Sequence, residues 1–165
     1  EQTQNSFIGD TDPKIHYTLQ KKDGTTKDFD FNKDIVFEFA EYFNGAVSQI
    51  WTEAILDTKD GRVLLCGYID EILINAYDIK TTGNYKFPKF INNWQHIVYP
   101  YCLNENGYSI DLFEYTITDF RNMYKEQYVY DRTSAVKKLT NQCEKLIEFI
   151  ETNRELITDN KIIKQ

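Results

Sequence analysis

Hard oxygens at alternate positions can converge on a cation, and the stretch KDFDFNKD places Asp28, Asp30 and Asn32 at that spacing. A calcium loop of this kind also needs a glycine at its sixth position and a glutamate at its twelfth. Lys33 and Phe39 stand there instead. Phe29 and Phe31 alternate with the acids, the pattern of a strand with one apolar and one solvated face. No metal is expected.

The two histidines, His16 and His96, do not form HExxH, which excludes the zinc-protease helix. None of the four serines lies in G-x-S-x-G. The seven glycines form neither a dinucleotide fingerprint nor a phosphate loop, so no cofactor is expected. Cys66, Cys102 and Cys143 are odd in number and scattered, and read as reduced, buried thiols. Asp70 and Glu71 are the closest carboxylate pair, but neighbours on a strand point to opposite faces. No catalytic residue is assigned. The alternative is an enzyme whose carboxylates, or a Cys/His pair, meet only in the folded chain.

What remains is charge and aromatic surface. The 165 residues carry a net charge of −7, with 12 Tyr and 11 Phe. No basic run exceeds two residues, which speaks against a general nucleic-acid binder. The acidity concentrates in residues 23–60 (net −6) and 103–131 (net −4), while 132–165 is net +2. Tyrosine pairs a large apolar ring with a polar tip, and acids beside such rings steer a basic partner. Asp111, Glu114, Tyr115, Asp119, Tyr130 and Asp131 are therefore the expected partner-binding residues. Phe120, Tyr124 and Tyr128 form a separate stripe expected to pack inward.

The elements that position these residues follow from periodicity. Ile15, Tyr17 and Leu19 alternate with polar residues, as do Phe29 and Phe31 beyond Asp23-Gly24, which predicts a hairpin. Val36, Phe39, Ala40 and Phe43 predict a helix over 33–44, capped by Asn32 and ended near Gly45. Residues 47–57, 62–69, 71–79 and 84–87 read as a meander. Helices are expected between Pro88 and Pro100, over about 118–128, and over 132–158, where Val136, Leu139, Cys143, Leu146, Ile147, Ile150 and Ile157 keep the helical period.

Strands precede helices, which predicts an α+β fold: an N-terminal antiparallel meander with one inserted helix, and C-terminal helices on one face of the sheet. Residues 1–12 read as a flexible segment and 13–165 as one domain. The expected function is a small acidic protein-binding module, concretely an immunity-type inhibitor that neutralises a basic toxin or enzyme. A structural subunit of a larger assembly is a further alternative. No membrane span is expected, because no run of about 18 apolar residues occurs, and the scattered cysteines fit the cytoplasm.

Overall fold

Asp23-Gly24 turns the chain where the alternating runs on either side demand it, with Gly24 at φ 83°. The computed structural model describes residues 13–159 and 161–162, so the segment 1–12 lies outside it. Strands β1 (Lys14–Gln20) and β2 (Thr26–Asn32) pair antiparallel, with Tyr17 across from Phe29. Asn32 then caps α1 (Lys33–Tyr42), accepting from the Asp34 N–H at 2.8 Å.

The main sheet contains β3 (Val47–Thr58), β4 (Gly61–Ile72), β5 (Ala76–Thr81), β6 (Leu112–Thr118) and β7 (Met123–Val129), in that spatial order. Helix α2 (Gln95–Glu105) joins β5 to β6, and α3 (Arg132–Thr152) follows β7. The mixed α+β class holds, with helices packed against the sheet. One pair departs from the expected antiparallel order: β5 and β6 run parallel, so β5–α2–β6 is a crossover unit. Ala76, Tyr77 and Asp78 are buried on successive residues, as in a strand covered on both faces.

Four further expectations are corrected. Residues 118–128 form the β6–β7 hairpin, not a helix, because Asp119 accepts from the Arg121 and Asn122 N–H groups at 3.0 and 2.8 Å and closes a turn. Positions four apart share a face in a strand as well as in a helix, which is why Tyr124 and Tyr128 misled. Residues 84–87 are not a strand, and α2 starts at Gln95 and runs through Pro100. Finally, α3 stops at Thr152, and only Ala135 and Leu139 on it are buried. Leu146 is 52% exposed, so the apolar stripe outlasts its cover.

Helix α2 packs on β4 and β6 around Ile69, Leu103, Phe113, Tyr115 and Ile117. A second cluster joins β3, α2 and α3 through Leu56, Tyr101, Cys102 and Leu139. Gly67 admits this packing: a Cβ there would lie 2.6 Å from the Tyr99 ring. Helix α1 sits across the sheet. Its Tyr42 hydroxyl donates to Glu114, whose strand neighbour Tyr115 faces α2. Among the described residues, no helix is long and apolar enough to cross a membrane.

A candidate active site at the fork between two strands

The ladder between β4 and β5 is short. It bridges Ile72 to Ala76 and Glu71 to Tyr77 and then stops. The same register sets Asp70 across from Asp78 at the first position where the strands part. Asp70 spans the opening: its Oδ2 accepts from the Ile79 N–H at 2.8 Å, and its Oδ1 accepts from Gln49 Nε2 at 3.0 Å. Gln49 occupies the left-handed region at φ 54°, a local distortion of β3 beside Asp70.

Asp78 is 3% exposed. Lys80, two residues on and therefore on the same face of β5, places Nζ 2.6 Å from Asp78 Oδ2. Gln95, the first residue of α2, donates to Asp78 Oδ1. Among the described residues, the Lys80 ammonium is the one partner of Oδ2. Burial raises the Asp78 pKa, opposed by Lys80 and Gln95, and the Asp70 charge raises it further. Lys80 and Gln95 thus hold Asp78 from β5 and α2, and Asp70 faces it from β4 across the fork.

Beyond β5 the loop 82–94 is fastened to β7. Glu126 is fully buried and accepts four hydrogen bonds: from the Lys89 N–H (3.0 Å), the Phe90 N–H (2.9 Å), Tyr85 Oη (2.9 Å) and Tyr128 Oη. Burial works against its charge, but these donors outweigh it and hold the pKa below the ordinary value. Burial, reinforced by the Glu126 carboxylate, pushes the Tyr85 hydroxyl up to about 12. The loop so fixed delivers Gln95 to Asp78.

The expected partner-binding residues do not form one surface. Glu114 and Tyr115 are buried, at 1% and 0% exposure, because β6 is the sheet's second strand from one edge and is covered on both faces. As contact residues they are corrected. Asp131 caps α3, accepting from the Ser134 N–H at 2.7 Å. Asp111 is exposed, and its carbonyl accepts from the Tyr130 N–H, so Asp111, Tyr130 and Asp131 lie together. The Tyr130 hydroxyl is buried without a partner, and its pKa is pushed up to about 12 by burial. Asp119 lies beyond the other end of β6, about 23 Å away by strand length. Turn N–H donors bring its carboxyl down to about 2.

The other motifs stay separate. Asp28 and Asp30 face His16, with His16 Nδ1 2.8 Å from Asp30 Oδ1. His96 stacks on Tyr128 and contacts the Tyr115 hydroxyl, while Cys102 packs in the second core cluster, so the two do not pair. Cys66 is exposed, contrary to the buried thiol expected, because its position on β4 faces solvent. The sequence reading missed Asp78, Lys80 and Gln95. The available signal was Asp-x-Lys at strand spacing, eight residues after an acid and across a short turn.

No family model matches the chain, and no curated protein matches it. A solved structure described as "Crystal structure of SSO0001" aligns with a TM-score of 0.44 and 17% identity. The alignment covers 63% of this chain and 52% of that one, so the chain spans about half of that protein's length. At that score the likeness assigns no function.

Proposed function

We propose that the chain is a hydrolase of phosphodiester bonds in nucleic acid, assisted by a divalent cation held at the fork. The observation that carries this reading is Asp78: buried, paired on Oδ2 with Lys80 alone among the described residues, and facing Asp70. A carboxylate in that state gains from a cation.

The donor set fits magnesium, which binds through one or two carboxylates and completes its shell with water and substrate phosphate. Among the described residues no group of three or more His, Cys, Asp or Glu could hold a metal ion, so water and substrate phosphate would have to complete the shell. Asp70 and Asp78 would hold the ion, which supplies charge stabilisation at the phosphoryl oxygens and an activated water. Lys80 presents its ammonium beside the same point and counters negative charge as it develops on phosphorus. Gln95 fixes the Asp78 carboxylate, and Asp70 keeps the fork open while anchoring it to Ile79. In the reaction, water adds to phosphorus, one P–O ester bond breaks, and the leaving oxygen takes up a proton.

Charge near the fork supports an anionic substrate despite the net −7. From Ile79 to Asn104 the chain carries Lys80, Lys86 and Lys89 and no acid.

The test is incubation of purified protein with linear DNA and RNA, single- and double-stranded, with Mg²⁺ or Mn²⁺ and with EDTA. Cleavage that requires the cation and falls at least about 100-fold in Asp78→Asn and Asp70→Asn supports the proposal. Absence of cleavage with every substrate, or equal cleavage by Asp78→Asn, refutes it.

A second reading, the protein-binding module, is favoured by the uncovered face of β3–β4. Trp51 and Tyr68 pack edge-on at 4.9 Å, beside exposed Ile55 and Leu64. Such a face suits a protein partner more than a phosphate.

A further inference from the structure

The loop 82–94 does more than carry Gln95. It leaves the carboxyl end of β5 and enters α2 beside Asp78, and it is pinned at Lys89 and Phe90 by Glu126. Its start is tied to β6, through Thr82 N–H donating to Thr118 O at 2.9 Å. Yet this fixed loop turns large rings outward. Phe87 is 67% exposed and Trp94 41% exposed. Phe90, between them, points in and packs on Tyr115 at 5.0 Å. A loop with a buried anchor of its own does not need Phe87 and Trp94 for folding.

Lys86 precedes Phe87, and Lys89 reaches back to Thr82 and Asn84. No acid lies on the loop. Exposed rings beside a lysine side chain that is free among the described residues, on a loop without acids, fit stacked bases on an anionic backbone. Paired bases offer no free faces to such rings, whereas an unpaired strand does.

We propose that the loop 82–94 is a stacking platform for a single strand of nucleic acid, with Phe87 and Trp94 against bases and Lys86 against phosphate. This rests on the reading of the fork as a phosphodiester hydrolase, and it specifies the form of strand delivered there. The pinning by Glu126 means the platform is rigid before the strand arrives, which lowers the ordering cost of binding.

The test reads binding without turnover. In EDTA, a 12-nucleotide oligothymidylate is titrated into Trp51→Phe protein, leaving Trp94 as the fluorescent probe. Quenching of Trp94 by the single strand, with a duplex of equal length bound at least about tenfold more weakly, is the expected result. Phe87→Ala weakens binding at least about fivefold, the lower end of one stacking contact. Lys86→Ala lowers the slope of log affinity against log salt by about 0.7. Thermal melts confirm that both variants fold, as their exposure predicts. Duplex bound as tightly as single strand, or Phe87→Ala without effect, overturns the platform. Heparin displacing the strand equally well from parent and Phe87→Ala protein also overturns it, because the surface is then only electrostatic. The two proposals fail separately. Strand binding that depends on Phe87 with no cleavage under any metal removes the hydrolase and keeps the platform. Cleavage of single strands with unchanged KM in Phe87→Ala removes the platform alone.

Discussion

Asp78 and Glu126 are acids sealed into the same sheet two strands apart, and their surroundings differ in kind. Glu126 receives two backbone N–H groups and two phenols, and its pKa is lowered. Asp78 receives one side-chain amide and one lysine, faces a second carboxylate, and its pKa is raised. A carboxylate with all its acceptors used is a structural part, and here it fastens a loop to a strand. A buried carboxylate with acceptor capacity to spare costs stability, and the fold tolerates it where a ligand can complete it. Glu114 belongs with Glu126. It accepts from Tyr42, Thr116 and Gln127, and it holds α1 against the sheet.

Substitutions sharpen or break this contrast. The largest effect is expected at Glu126→Ala, which strands two backbone donors and two hydroxyls. Unfolding in urea should show a loss of about 3–5 kcal/mol. A loss below about 1 kcal/mol would mean that the loop is not held by this residue. Tyr42→Phe removes one donor from buried Glu114 and should cost about 1–3 kcal/mol in the same assay.

At Asp78→Asn the sign reverses. A raised native pKa means that the folded state favours the protonated form, so the group stabilises at low pH and loses that advantage as pH rises through its native pKa. At neutral pH the charge is a burden, and the neutral amide should raise the melting temperature while removing the proposed hydrolysis. A fall in melting temperature would place Asp78 with Glu126 as a structural acid. Acid titration gives the smallest and most direct comparison. Glu126 contributes stability above its ordinary value of 4.5 that is lost as pH falls through its lowered native pKa. The stability of Glu126→Gln should therefore fall less steeply below about pH 4.5 than that of the parent protein, as thermal melts from pH 3 to 7 would show.

The hairpin 15–31 and the capped helix after Asn32 were legible because local signals set them: alternation, an Asp-Gly turn and one capping amide. The class α+β was legible for the same reason. The β6–β7 hairpin was not, since Phe120, Tyr124 and Tyr128 satisfy two periods at once and Asp119 alone decides for the turn. Leu146 kept helical period without cover, because a stripe records which face could be buried and not whether anything packs on it.

Composition by itself determined an aromatic core and a net acidic chain without a local metal or cofactor motif. Only the tertiary structure decided which acids face one another. Asp70 and Asp78 meet because the β4–β5 ladder ends one pair before them, and Gln95 joins them because α2 crosses over to make β6 parallel. Each is a consequence of register and of a non-local connection. Strand register depends on pairing across a turn, and a crossover on packing against the whole sheet, so neither is written in any short stretch of sequence.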